Sequence, residues 1–486
     1  MSHQATIQPQ PAQAAASVAA PALPALDPRR WLVLTTLVAA QFMFVVDAFI
    51  VNVAIPAIRL DLGASPAVIE AVIALYLIAY ATLVITGGRL GDIFGAKPTF
   101  LTGLIGFVVA SLACGLAQSG PELVAGRLVQ GASAALMVPQ VLATIHVLFP
   151  AAERSRAFGA YGMALGFGGA AGFVLGGFLV TLNLAGLGWR AVFFVNAPAG
   201  VAIAWAAWRW MPRAVLHARP SLDIAGAAVL FAGLLCLIGP LLFGGDLGRM
   251  PWLWSAMPVG ALILWGFLRL ERRVERRGGV PLVESALWAD ASFLRGLAGA
   301  LCFFLGNLSF YLVVTLFLQG TLGYSPWHAG LAVLPLALAF VLASRQGAAR
   351  AVRRGSRALV EGSGLQMLGL LGLALGAIAP HPAMPALVLA LTLVGYGQGL
   401  VMAPLSSAVL SAVRLTSAGS GAGIYATTVQ IANAAGVAAV GALFFAVQER
   451  FSDRAAFLAA LTAVAAAVAA AAVLFAGLRR SAAPSR

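Results

Sequence analysis

The sequence is poor in charge. Only 9% of its 486 residues are Asp, Glu, Lys or Arg, against roughly 25% in soluble domains. Lysine is almost missing: Lys97 is the only one, and every other basic side chain is arginine. There are 3 cysteines. Cys114, Cys236 and Cys302 each fall in an apolar run, at spacings that match no metal or disulfide framework, so they read as small core residues. The 5 histidines, His3, His146, His217, His328 and His381, are scattered. No His-Glu-x-x-His, Ser-His-Asp-like or Gly-Lys-Ser/Thr grouping occurs. Metal hydrolysis, nucleophilic catalysis and nucleotide hydrolysis lose their usual signatures. No metal or cofactor is expected, and any work is driven by an ion gradient.

What the chain has is apolar length. It is 61% hydrophobic, with a mean hydropathy of +0.95. A bilayer-spanning helix needs about 20 mostly apolar residues. Candidates are 31–56, 66–87, 98–117, 121–148, 156–182, 190–211, 222–243, 252–270, 293–318, 326–343, 358–378, 384–412, 421–447 and 455–478, about fourteen in all. The expected fold is an all-α polytopic membrane protein.

The net charge of +14 suggests nucleic acid until the charges are placed. With the amino terminus inside, most basic residues fall in alternate connections. These hold Arg89 and Lys97, Arg154 and Arg156, the run from Arg269 to Arg277, and the run from Arg345 to Arg357. The other connections hold few: Arg59, Arg190, Arg249, Arg450 and Arg454. That alternation is the positive-inside pattern, with both termini cytoplasmic and no nucleic-acid role. The run Arg269–Arg277 alternates in sign and reads as a solvated interfacial helix.

The segment 1–30, rich in Ala, Pro and Gln, reads as a disordered cytoplasmic tail rather than a cleavable leader. The rest divides into a six-helix unit over 31–213, two extra helices with a basic linker over 214–290, a second six-helix unit over 291–478, and a tail over 479–486. A weak internal repeat supports the division: Gly95 aligns with Gly355 and Lys97 with Arg357. Such repeats build alternating access.

Asp47 lies in the apolar run from Trp31 to Ile58. A carboxylate at bilayer depth is costly and is rarely kept without a use. Burial disfavours the charged form of such a group, which suits it to taking and releasing a proton. Arg127 reads as the second ionisable group within a span. Both lie on the outer side of mid-helix, in helices of opposite direction, and are expected to meet across a central cavity. Gln130 lies on the face of Arg127, whereas Asn52 points away from Asp47 and is read as a helix contact.

Gly168, Gly172 and Gly176 recur at four-residue spacing beside Gly177. This spacing lets helices approach backbone to backbone and slide. Phe49, Asn307, Gln319, Gln398, Gln130 and Phe304 are the candidates for a substrate cavity, the aromatic residues Phe303, Phe304, Phe310 and Tyr311 clustering in one span.

Several strings resemble the major facilitator superfamily, and within it the fourteen-helix drug:proton antiporters. Asp47–Pro56 resembles the first-helix acidic motif, with Phe49 where Thr is usual. Gly88–Lys97 resembles the loop signature, keeping Gly88, Leu90, Asp92, Gly95 and Lys97. Arg127-x-x-Gln130-Gly131 matches the helix 4 motif. Gly168–Gly177 resembles the helix 5 antiporter motif, with Phe173 in place of its proline. Trp189-Arg190-x-x-Phe193-x-x-Asn196 and Leu318-Gln319 through Pro326 are similar to later stretches.

The resemblance implies two six-helix bundles plus two central helices, in a bacterial cytoplasmic membrane. It implies export of amphipathic small molecules in exchange for protons, with Asp47 and Arg127 coupling the two. Gly88, Asp92, Gly95 and Lys97 would form a cytoplasmic latch. Some relatives work with a periplasmic adaptor and an outer-membrane channel. A narrow-specificity metabolite exporter, or a proton symporter of the same fold, is the alternative.

Overall fold

The computed structural model describes residues 28–212, 224–242, 251–276, 290–379, 383–411 and 418–478, with Leu287 and Val413 between them. The tails 1–27 and 479–486, and much of the linker within 214–290, lie outside the described residues.

The described chain is helical throughout. In order the helices are α1 (Arg30–Leu62), α2 (Pro66–Phe94), α3 (Ala96–Leu116), α4 (Gly120–Leu148), α5 (Ala151–Leu182), α6 (Ala191–Phe194), α7 (Asn196–Trp210), α8 (Ile224–Leu242), α9 (Ala256–Arg276), α10 (Ala291–Leu316), α11 (Pro326–Arg354), α12 (Arg357–Ile378), α13 (Met384–Leu410), α14 (Ala418–Arg450) and α15 (Asp453–Ala476). Among the described residues 13 helical segments are long and apolar enough to span a bilayer, and α8 adds a shorter apolar stretch, Ala228–Leu241.

Local chemistry sets the helix ends. Ser65 and Ser325 cap α2 and α11 by accepting from the Val68 and His328 amides, with Pro66 and Pro326 in the first turn. Gly95 (φ 96°) and Gly355 (φ 59°) end the same two helices in the left-handed region that favours glycine. Start and stop signals therefore recur at one constant offset along the chain, and the repeat is visible as matching helix termini.

Several spans run past their expected ends, α2 to Phe94 and α11 to Arg354 among them, and two of the differences have a clear local reason. Pro56 does not end α1, which runs on to Gly63, where a left-handed residue (φ 55°) returns its amide to the Arg59 carbonyl. The basic run from Arg269 is not a separate interfacial helix. It continues α9 to Arg276, with the Arg269 guanidinium 3.7 Å from the Trp265 ring centroid and Glu271 buried. A helix already wound through 256–268 extends more readily than a new one nucleates.

Glycine governs helix pairing. A Cβ on Gly168, Gly172 or Gly176 of α5 would lie 2.9 Å from Val45, Val46 or Ile50 atoms of α1, so these two helices touch at backbone distance. The bundles meet along two seams, α5 against α11 and α2 against α14, and α8, paired with α9, packs against both α2 and α14.

The two membrane faces differ. The face where α1 begins carries Arg30, Arg89, Lys97, Arg345, Arg350 and Arg357, and is called here the basic face. At the opposite face the halves are drawn together. Gln319 Nε2 donates to the Val53 carbonyl at 3.0 Å, and the Arg59 guanidinium lies 5.2 Å from the Phe445 ring centroid. Toward the basic face, Gly159 and Gly162 of α5 look into open space.

Candidate functional site

Asp47 is fully buried in the middle of α1, and three donors hold it. Arg127 Nη1 donates to Oδ2 at 2.6 Å. Gln130 Nε2 and Asn196 Nδ2 each donate to Oδ1 at 2.8 Å. The charge-assisted bond is the short one, as expected for a guanidinium on a carboxylate.

Arg127 is 1% exposed. Besides Asp47 it bonds the Val72 carbonyl through Nε at 3.1 Å and Gln130 Oε1 through Nη1 at 2.8 Å. Its guanidinium carbon lies 3.9 Å from the Tyr76 ring centroid, a cation–π contact strengthened by exclusion of water. The cation therefore has partners on α2 and α4 that do not depend on the Asp47 charge.

Asn196 reaches Asp47 from the sixth span, Gly188–Trp210. Pro198 lacks an amide hydrogen and cannot bond the Phe194 carbonyl, so the regular ladder is interrupted between α6 and α7 while Val195 keeps helical dihedrals (φ −60°, ψ −25°). Asn196 Nδ2 also donates to Ser111 Oγ at 3.0 Å, and Ser111 Oγ donates to the Phe193 carbonyl at 2.9 Å. The network ties α1, α2, α3, α4, α6 and α7 together through buried polar groups that satisfy one another.

This placement corrects one expectation. Asp47 and Arg127 do not meet across a cavity between the bundles. They are enclosed within the first bundle, because both face its axis and the side chains of α2, α3 and α7 close around them. Asn52 turns back on its own helix, donating to the Ala48 and Phe49 carbonyls.

The other candidates are distributed as follows. Phe49 lies on the side of α1 toward the second bundle, its ring centroid 5.2 Å from Tyr311 and 5.8 Å from Phe173. Tyr311 donates through its hydroxyl to Gln398 Oε1 at 2.9 Å. This aromatic group joins α1, α5 and α10. Asn307, buried on α10, stands at the repeat position of Asp47. The second bundle thus carries an uncharged amide where the first carries its carboxylate. Phe304 packs edge-on against Phe303 in the core of the second bundle, away from this group. Gln319 closes the opposite face, as above.

In the loop signature, the Lys97 ammonium donates to the Trp208 and Met211 carbonyls at 2.6 and 2.8 Å, binding the end of α7 within its own bundle. Asp92 is exposed at the end of α2. Gly88 faces Pro139, and Gly95 supplies the positive-φ stop of α2.

Three contributors escaped the sequence reading. Asn196 stands out in the sequence only as part of the Trp189–Asn196 string, with no sign that it reaches Asp47. Tyr76 and Ser111 carry no local signal, since Tyr and Ser are ordinary in spans. Arg127 is also not alone as the second ionisable group in a span. Glu70 of α2 is 1% exposed and bears the same signature as Asp47, a lone carboxyl in an apolar run.

Comparison with known proteins agrees with this architecture. Residues 37–437 match the family described as Major Facilitator Superfamily. A probable actinorhodin transporter of Streptomyces coelicolor is 39% identical over 425 residues, 86% of this chain and 73% of that protein. The puromycin resistance protein pur8 of Streptomyces alboniger is 34% identical over 418 residues, covering 85% and 81%. Among solved structures, a bacterial homologue of the human lysosomal transporter Spinster, inward-facing and unoccupied, aligns with a TM-score of 0.66 at 16% identity. The alignment covers 94% of this chain and 100% of that one. At that identity the likeness speaks for the fold.

Proposed function

The chain belongs to the Major Facilitator Superfamily, and from that premise we propose that it exports amphipathic small molecules across a bacterial cytoplasmic membrane in exchange for protons. The observation that carries this reading is the enclosed Asp47 carboxylate with its three donors on α4 and α7.

Protonation of Asp47 removes the charge that holds Arg127 at 2.6 Å. Arg127 keeps the Val72 carbonyl, Gln130 and the Tyr76 ring, so the cation stays housed while α1 is loosened from α4 and α7. Because α1 lies backbone to backbone on α5, and α5 forms a seam with α11, a shift of α1 is carried to the boundary between the bundles. The proton thereby biases a two-state element, which is what coupling requires. Phe49, Phe173 and Tyr311 supply an apolar, aromatic wall with one hydroxyl, suited to an amphipathic substrate. The basic face is assigned to the cytoplasm, with both termini there. The units 31–213 and 291–478 are assigned as the two moving bodies.

Relatives support the substrate class. Besides the two already named, similar proteins are named for tetracenomycin C resistance and export in Streptomyces glaucescens and for cephamycin export in Amycolatopsis lactamdurans.

The test combines a growth-inhibition panel in an efflux-deficient host with proton flux in everted vesicles. A compound to which the chain confers resistance should make an acidified vesicle lumen more alkaline on addition, and Asp47→Asn should abolish both effects. Proton flux of the opposite sign would instead indicate symport. Wild-type flux in Asp47→Asn would remove the coupling role.

A further inference from the structure

The two seams between the bundles are built from equivalent parts of the repeat, yet one holds a carboxyl where the other holds a glycine. In the α5–α11 seam, Gly177 lies against Pro326 at the start of α11. One turn on, Gly330 lies so close to α5 that an added Cβ would stand 2.7 Å from the Phe173 carbonyl oxygen. In the α2–α14 seam, Pro66 opens α2 as Pro326 opens α11, and Gly441 faces Glu70 of α2 as Phe173 faces Gly330 of α11. The residue at the position of Gly330 is Glu70. The glycine of this contact is thus on α11 in one seam and on α14 in the other, and an apolar side chain would fill the space beside Gly441 as well as Glu70 does, so packing does not account for the carboxyl.

Glu70 is 1% exposed. Its Oε1 lies 2.7 Å from where a Cβ on Gly441 would be, and its Oε2 accepts no hydrogen bond among the described residues. Charged groups on the surrounding helices are engaged elsewhere. On α1, Arg59 lies over Phe445, Asp61 is bound to Arg190, and Asp47 belongs to the enclosed network. On α4, Arg127 reaches α2 at Val72 and Tyr76, about 160° and about 120° around the helix from Glu70, while Glu122 accepts from the Gln118 amide and His146 lies at the far end. On α14, Glu449 and Arg450 are exposed two turns further on. Lys97 of α3 lies at the basic face, as do Arg89 and Asp92 of α2 itself. The described part of α8 offers only Cys236, and Tyr76 and Tyr80 are the other titratable side chains of α2. A charge left unpaired at this depth is strongly disfavoured, so the closed seam accepts Glu70 in its neutral form.

We propose that Glu70 is a gating carboxyl, which carries a proton while the α2–α14 seam is closed and gives it to water on the opposite face when the seam opens. The O–H bond breaks heterolytically, the electron pair stays on the carboxylate, and water takes the proton. Closure reverses the step from the same compartment. The Glu70 proton therefore sets how opening depends on pH and is not exchanged for substrate, a division of labour with Asp47. The inference rests on the alternating-access reading but not on the role of Asp47.

The test places spin labels, through noncanonical residues, at the exposed positions Leu60 and Phe451. The distance distribution of the full chain in lipid nanodiscs is then read from about pH 5 to about pH 9, without substrate. In wild type the open fraction should rise with pH. Glu70→Gln should lose that dependence and stay closed. Glu70→Gly, which puts at this position the residue that the twin seam has there, should do the same and serves if the amide variant misfolds. Asp47→Asn, which fixes that group in a neutral form, should shift the open fraction but leave it rising with pH. A wild-type distribution insensitive to pH, or unchanged dependence in the Gln or Gly variant, would overturn the proposal. Loss of coupled flux in Asp47→Asn with the gate's pH dependence intact would leave both readings standing. Retention of that flux would remove the Asp47 role alone.

Discussion

Phe49 and Phe173 lie against each other, ring centroids 5.8 Å apart at an interplanar angle of 51°. They are the two positions at which the helix 1 and helix 5 strings depart from the motifs they resemble. Two departures that touch across the α1–α5 contact read as one change: a ring in place of a proline on α5 is met by a ring on α1, and Tyr311 of α10 completes the group.

A double-mutant cycle measures this. Phe49→Ala and Phe173→Ala should each lower stability, and their coupling energy should be about 0.5–1.5 kcal/mol, the range of aromatic pairs. Denaturant-induced unfolding in detergent reads the stability, and resistance profiles read the substrate range. Strictly additive effects would show that the rings act separately.

The Arg127 cation should be harder to remove than the Asp47 charge. Arg127→Ala strands a buried carboxylate and should lower stability by about 3–5 kcal/mol, as when one member of a buried pair is deleted. Asp47→Asn keeps the side-chain shape, and Arg127 retains its bonds to Val72 and Gln130, so this variant should fold and express while losing coupled transport. Comparable destabilisation in the two variants, measured by thermal unfolding, would contradict this asymmetry.

The glycines of α5 should divide by the helix they face. Gly172→Ala places a methyl 2.9 Å from the Val46 carbonyl oxygen and from Phe49 Cβ. It should reduce stability by about 1–3 kcal/mol and slow transport. Gly162→Ala meets nothing within 4 Å and should be tolerated in both respects. Equal loss in both variants would mean that these glycines act through helix flexibility rather than through the α1 contact.

At the basic face Arg30 Nε and Nη2 hold the Glu153 carboxylate at 2.8 and 2.9 Å, keeping it below the usual carboxylate range. A group whose folded value is depressed lends stability above its unfolded value, about 4.3 for Glu, and loses it as pH falls through the folded value. The difference in melting temperature between wild type and Glu153→Gln should therefore be present near neutrality, shrink on acidification below that value, and fall with added salt. A difference that grows toward acid pH would contradict the ion pair.

The helical architecture was legible because apolar length and arginine alternation are properties of single segments. The pairing of Asp47 with Arg127 was partly legible, since two lone charges at similar depth leave few other partners. Their enclosure was not. It depends on Asn196 of α7 and on Tyr76 and Ser111, residues whose roles come only from which helices are neighbours. Pro56 misled in the other direction: a proline stops an isolated helix, but packing around α1 carries the chain through it. The Arg269 run looked like a separate surface helix because its charges dominate locally, whereas its start is set by the apolar turns before it. Glu70 was legible by the same rule that picked out Asp47, but its meaning required the seam and its glycine twin.

The central claim is that Asp47 carries the coupling proton. The most direct measurement is difference infrared spectroscopy of the purified protein across a pH titration, in a Glu70→Gln background that removes the other carboxyl buried in the first bundle's spans. The account predicts a protonated-carboxyl band that appears on acidification and is absent in Asp47→Asn. The same band, titrating unchanged in Asp47→Asn, would contradict it.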